Sequence, residues 1–256
     1  DATGGRAAPE PILAAIAAYE RAAAAAPDDL EARWKWLRAL HFAGDFTTLA
    51  DAERRAAFDR GCALAEQTLA ELARRAGGAS RLDELAPAEA ARLLSVQRID
   101  AGAVARVHFW AAIHWGAWSQ QAGLLGAVRE GVGARLLRYT TLAIALDGSL
   151  EDGGPYRLLG RLHATLPRVP FLTGWVDRDR AIPLIERARA LAPAHPGNRL
   201  LLALTLLDLA PSRRAEAVGL LREVAGLEPR AEERVEDLAL RAEARERLRA
   251  LGVEEG

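Results

Sequence analysis

The chain has 256 residues, 27% of them charged, a formal net charge of −1, and one cysteine, Cys62, which excludes an internal disulfide. That length can bury a large core. A near-neutral balance of interspersed signs argues against nucleic acid as the main partner, since that partner wants a basic stripe. No apolar run reaches the roughly 18 residues that span a bilayer.

In chain order, helices are expected at about 9–26, 29–43, 47–76, 87–95, 101–122, 124–146, 154–166, 177–192, 196–209, 212–226 and 232–250. Pro9 and Pro11 suit a helix start, and Asp28 and Asp29 open the next helix. Gly44-Asp45 reads as the end of the second helix. Gly77-Gly78-Ala79-Ser80 reads as the clearest flexible joint, and Asp147-Gly148-Ser149 and Asp152-Gly153-Gly154-Pro155 bracket a further turn. The last segment is rich in Glu and Arg, as a solvent-facing capping helix would be. No run of alternating β-branched residues occurs, so no sheet is expected.

Three stretches share one spacing: Ala15, Tyr19, Ala22, Pro27; Ala181, Ile185, Ala188, Pro193; and Ala217, Leu221, Val224, Pro229. Steps of four and three place side chains on one helix face, and the proline then stops the helix. Pro193 and Pro229 lie 36 positions apart, close to the roughly 34-residue period of tetratricopeptide repeats. Tyr156, Leu159, Gly160 and His163 precede the second copy, and Arg199, Leu202, Ala203 and Leu206 the third, at the positions of the leading repeat helix. Gly160 and Ala203 are small where two helices must approach. The expected fold class is all-α, a tetratricopeptide-like helical repeat of antiparallel helix pairs. The expected organisation is one repeat domain over 1–256, with an irregular middle at 77–100, the clearest repeats at 154–230 and a capping helix at 231–250.

Three phrases resemble the T-component of tripartite ATP-independent periplasmic (TRAP) transporters, a family of helical-repeat lipoproteins. They are Phe58-Asp59-Arg60-Gly61-Cys62-Ala63-Leu64-Ala65, then Phe109-Trp110-Ala111-Ala112 leading to Trp115-Gly116-Ala117-Trp118, then Gly153-Gly154-Pro155-Tyr156-Arg157-Leu158-Leu159-Gly160-Arg161-Leu162-His163 ending in Leu166-Pro167. In outline the resemblance covers about 10–230. It implies a periplasmic, lipid-anchored accessory protein that docks the solute-binding subunit of such a transporter, whose substrates are often organic acids. About nine residues are inserted after Leu166-Pro167, bringing Pro170, Phe171, Gly174 and Trp175, and the lipid-bearing cysteine is absent. The chain contains no Met and starts at Asp1, which reads as a processed or trimmed product.

No catalytic set is apparent. The histidines His41, His108, His114, His163 and His195 include no pair four apart, and Cys62 has no cysteine partner, so neither a zinc site nor a cofactor is expected. Asp147, Ser149 and Glu151 start like a calcium loop, but Asp152 and Leu158 stand where Gly and Glu belong. Cys62 reads as a small core residue rather than a reactive thiol. Trp110, His114 and Trp118 form one helix stripe, which is either core packing or the apolar wall of a ligand pocket. Arg157 and Arg161, with His163 nearby, form either a solvated basic face or a patch for a carboxylate. Phe171 and Trp175 in the inserted loop either cap the repeat edge or anchor a partner. The favoured expectation is a non-enzymatic accessory subunit with a protein partner and an organic acid at a site shared by the stripe and the arginine pair. The competing expectation is a general tetratricopeptide scaffold, in either cytoplasm or periplasm. A homo-oligomer is compatible with both.

Overall fold

The computed structural model describes Gly5 and residues 7–77 and 81–253. Among these there are eleven α-helices and no strand: α1 (Pro9–Ala25), α2 (Leu30–Phe46), α3 (Asp51–Arg75), α4 (Pro87–Val96), α5 (Ala101–Arg129), α6 (Val132–Asp147), α7 (Leu150–Thr165), α8 (Ala181–Leu191), α9 (Pro196–Leu209), α10 (Arg214–Ala225) and α11 (Arg234–Ala250). The all-α expectation holds. No described helix is long and apolar enough to cross a membrane. Among the described residues the chain divides into two compact units, 7–150 and 151–253, with Gly5 belonging to the second.

Local chemistry explains most of the boundaries. Asp29 caps α2 by accepting from Glu31 N–H at 2.8 Å and Ala32 N–H at 3.3 Å. Asp100 does the same for α5 through Gly102 N–H at 2.8 Å. Pro9, Pro87 and Pro196 occupy first-turn positions, where the missing N–H has no intrahelical partner to lose. The expected break between 122 and 124 is Gly123, left-handed at φ 70, and Gly131 at φ 63 turns the chain into α6. Of the expected joint, Gly77 is left-handed at φ 71, and residues 78–80 lie outside the described residues.

Gly44 departs from expectation. It lies inside α2, which runs on to Phe46. A Cβ at Gly44 would sit 2.5 Å from Cζ of Phe58, so this glycine serves close helix packing rather than a turn.

In the N-terminal unit, α2, α3 and α5 pack on one another, α1 packs on α2, and α6 packs on α5 and α4. The core is Leu37, Leu40, Phe58, Leu69, Leu72, Val104, Val107, Leu136 and Leu142. In the C-terminal unit, α8 packs on α9, α9 on α10, and α11 on both α9 and α10. The second and third copies of the repeated spacing form the inner face there: Ala181, Ile185, Ala188, Ala217, Leu221 and Val224 are all 0% exposed. Gly160 brings α7 against α8, where an added Cβ would meet Ile185 Cγ1 at 2.5 Å and the Ala181 carbonyl oxygen at 2.9 Å. Ala203 is fully buried in the same core.

The first copy is not an inner face. Ala22 is exposed and Ala15 and Tyr19 are half-buried, whereas Ile16 and Ala23 are the buried residues of α1. The helix is so rich in alanine that its spacing alone does not fix which side turns inward.

Candidate functional site

The aromatic stripe is built into the N-terminal unit. Trp110 is 8% exposed, with His41 5.5 Å away between ring centroids. His114 is fully buried and donates Nε2–H to the Leu37 carbonyl at 2.8 Å, with Phe58 at 6.1 Å. Gly61 makes room for it, since a Cβ there would fall 2.1 Å from the imidazole. Trp118 is half-buried and donates Nε1–H to Asp59 at 2.9 Å. All three residues thus turn toward α2 and α3, and Trp110 Nε1 and His114 Nδ1 are buried there with no hydrogen-bond partner among the described residues. Burial drives His114 down to about 3, helped by neighbouring His41, and His41 itself to about 4. Both imidazoles are therefore neutral at pH 7.

The middle of α5, at Trp115, borders a polar network that the sequence did not suggest. Glu66 of α3 accepts from Tyr139 Oη at 2.7 Å, Trp115 Nε1 at 2.9 Å, Arg81 at 2.7 Å and Arg135 at 2.9 Å. Arg135 also lies 4.6 Å above the Trp115 ring, a cation–π distance. Asp83, 1% exposed at its side chain, holds Arg81 and Arg138 at 3.0 Å each. Burial alone would raise the Glu66 carboxyl, but the hydrogen bonds from Tyr139 and Arg81 outweigh it and hold the group below its usual range. The same burial, with Glu66, pushes the Tyr139 phenol up. Each donor here already has an acceptor, so the network clamps the segment after α3 onto α5 and α6. Its only sequence signal was a carboxylate at 66 beside the buried Cys62, Ala65 and Leu69.

Arg157 and Arg161 lie in the C-terminal unit and diverge. Arg157 turns inward: Nη1 donates to the Glu151 carbonyl at 2.9 Å and to Asn198 Oδ1 at 3.1 Å, and burial pulls its pKa down to about 10. This corrects both sequence readings of Arg157, as a solvated basic residue and as a carboxylate ligand, because its guanidinium holds the chain's own turn. Arg161 pairs with Asp208 of α9 at 3.0 Å. It borders a recess of about 170 Å³ whose other walls are Leu204, Leu207, Asp208, Arg247, Ala250 and Leu251. The partner that Arg161 finds at an opening is therefore Arg247 of α11, not Arg157. Arg247 was missed because nothing in the sequence separates it from the other charges of α11.

The inserted segment between α7 and α8 is ordered by His163 and Trp175. His163, 0% exposed, accepts the Asp177 N–H at Nδ1 at 3.0 Å and stacks edgewise on Trp175 at 5.4 Å. Trp175 is half-buried, so it anchors the loop rather than presenting itself to a partner. Phe171 is fully exposed. His163 is thereby a structural support and not a ligand group at the Arg161 recess; burial, then Arg180, lowers its pKa.

Cys62 is buried, and burial, reinforced by Asp59, pushes its thiol up to about 12, as expected of an inert core cysteine. Among the described residues no three His, Cys, Asp or Glu side chains are grouped as a metal site. Comparison with protein-family models finds no match to this chain, and comparison with curated proteins finds none either.

Proposed function

We propose that this chain is a non-enzymatic binding protein of tetratricopeptide-like build, an accessory subunit of the T-component kind that docks the solute-binding subunit of a TRAP-type transporter. On this reading it works in the periplasm, held by a lipid anchor, and the solute is an organic acid. The repeat part rests on the buried spacing of α8 and α10, the close approach at Gly160 and the burial of Ala203. The binding part rests on a single observation, the recess between α7, α9 and α11. Its floor is leucine and alanine, and its rim carries Arg161 and Arg247 against one carboxylate, Asp208. Arg161 pairs with Asp208 at 3.0 Å and Arg247 with Glu243 of its own helix at 3.7 Å, so a small carboxylate with an apolar tail would enter by displacing one of these exposed pairs over the apolar floor.

The test is calorimetric titration with hexanoate and benzoate, together with co-purification of candidate solute-binding subunits. Saturable binding that is lost in Arg161→Ala and Arg247→Ala supports the reading. Equal heats for wild type and both variants would remove the recess from it.

A general scaffold reading is favoured by one feature. Arg161, Asp208 and Arg247 come from three different helices and alternate in sign, as a groove reading a charged peptide would. Binding of acidic peptides with no response to small acids would select it.

A further inference from the structure

We propose that the loop joining α7 to α8 is a membrane-contact device, in which Phe171, with Val169 and Leu172, enters the headgroup–acyl boundary of an anionic lipid surface and Arg168 meets a lipid phosphate. The proposal does not depend on the transport reading and holds equally for a scaffold.

The backbone is the starting point. Phe171 has φ 64, in the left-handed region that a bulky side chain rarely adopts. Such a conformation persists only where its surroundings over-determine it, and here they do. The N–H groups of Leu172 and Thr173 both donate to the Val169 carbonyl, at 3.2 and 2.9 Å. Thr173 Oγ1 accepts the Val169 N–H at 2.9 Å and donates to the Pro167 carbonyl. Arg168 Nε closes the loop on the Gly174 carbonyl at 3.2 Å. Below the tip, Trp175 on His163 and the buried Val176 fix its base. The fold therefore stiffens the one arrangement that leaves the phenyl ring fully exposed.

The chemistry of the tip indicates the occupant. Among the described residues, three of the nine exposed large apolar side chains, Val169, Phe171 and Leu172, fall within four residues; Leu124, Leu125 and Val128 on α5 form a second such group, but without the fully exposed aromatic ring. Between Pro167 and Val176 the only charge is Arg168, whose Nε bonds a backbone carbonyl rather than a carboxylate. At its base Arg168, Arg178 and Arg180 outnumber Asp177 and Asp179, and an apolar tip over a net cationic base complements an anionic bilayer surface. A protein interface generally needs about 800 Å² from each side, more than a four-residue knob offers by itself. A bilayer asks only that an apolar tip reach its boundary. One such tip gives weak, reversible, salt-sensitive attachment.

The experiment is sedimentation with vesicles of phosphatidylglycerol and phosphatidylcholine in equal parts, and of phosphatidylcholine alone, at low and high salt. Wild type is expected to bind the anionic vesicles, Phe171→Ala about fivefold more weakly and Phe171→Asp not measurably. Arg168→Ala should lose the preference for phosphatidylglycerol. Because these side chains are exposed, all variants should keep the wild-type circular dichroism. A Phe171→Cys variant carrying an environment-sensitive fluorophore reports the loop directly, since Cys62 is buried and resists labelling. Its emission should shift to the blue on adding anionic vesicles. Equal partitioning of wild type and Phe171→Asp, or vesicle binding with no shift at position 171, would overturn the proposal. So would failure of wild type to bind any vesicle. Loss of a purified protein partner in Phe171→Ala with vesicle binding unchanged would assign the loop to protein docking instead.

Discussion

Arg157 donates to Asn198 Oδ1 at 3.1 Å while Asn198 Nδ2 donates to the carbonyls of Asp152 at 2.9 Å and Ala188 at 3.0 Å. Together they hold three consecutive left-handed residues, Glu151, Asp152 and Gly153, at φ 47, 57 and 80. Glycine is at ease there and the two acidic residues are not, so the turn depends on the carbonyl bonds that fix it. Asn198 is fully buried. Asn198→Ala should therefore cost about 1–3 kcal/mol, the penalty for leaving buried carbonyls unpaired. Arg157→Lys should not preserve stability, because a single ammonium does not reproduce the reach of a guanidinium. Urea unfolding of each variant measures this, and wild-type midpoints for both would remove the network from the turn.

Two glycines should be intolerant of any side chain, for separate reasons. At Gly160 a methyl group would meet Ile185 and the α8 backbone, and at Gly61 it would meet the His114 ring. Backbone cannot swing aside as a side chain can, so Gly160→Ala and Gly160→Leu should each overpack the α7–α8 contact by about 1–3 kcal/mol. Gly61→Ala should lower the thermal midpoint too, and combining it with His114→Ala should recover part of that loss. Unchanged midpoints for Gly160→Leu would mean that α7 does not sit on α8.

How far the sequence revealed this arrangement depended on contrast. In α8 and α10, alanine and branched residues alternate with arginine and glutamate, so the inner face could be read, and the structure buries it. In α1, alanine on every side erased the contrast, and Ile16 and Ala23 turned inward instead of Ala15, Tyr19 and Ala22. Gly44 looks like a turn signal in sequence, yet it makes room for the Phe58 ring of the next helix, and Gly61, inside an expected helix, makes room for the His114 ring of a helix much further along the chain. The site residues were harder still. Arg157 and Arg161 share a helix face by spacing, but Asn198 draws one inward and Asp208 the other outward, and neither partner lies nearby in sequence. Glu66 gathers its donors from three separate segments, which periodicity does not register.

Acid should weaken the N-terminal unit before its carboxylates titrate. His114 and His41 are held neutral by burial, at about 3 and about 4, while an unfolded histidine takes up a proton near 6.5. Between those values the unfolded chain binds more protons than the native one, so stability is full above about 6.5 and falls as the pH drops toward 4. His114 carries the larger share, because it is fully buried while the His41 side chain keeps 17% of its surface exposed. Urea midpoints from pH 7.5 to 4.5 should decline by about 1–3 kcal/mol of stability. His114→Gln, which keeps a donor for the Leu37 carbonyl, should flatten that slope. A slope equal to wild type would place the titration elsewhere.

The Glu66 network should behave as one cooperative unit. Tyr139→Phe removes the bond that the phenol donates to Glu66 and those it accepts from Arg81 at 2.8 Å and Arg135 at 3.5 Å, and should cost about 1–3 kcal/mol. Glu66→Gln removes the charge that faces Arg81 and Arg135, leaving the half-buried Arg135 without its carboxylate while Arg81 keeps Asp83. Because Glu66 keeps 28% of its side chain exposed, water screens part of that loss, and about 1–3 kcal/mol is expected rather than the larger figure for a sealed ion pair. Combining both changes should cost less than the sum, by about 0.5–3 kcal/mol, since the second removes a bond the first has already weakened. The Trp115 indole donates to the same carboxylate and lies under Arg135, so Glu66→Gln should also change tryptophan emission, which Tyr139→Phe should leave nearly unaltered. Simple additivity, with no change in emission, would mean that Arg81 and Arg135 are held by other groups and that the segment after α3 is not clamped through Glu66.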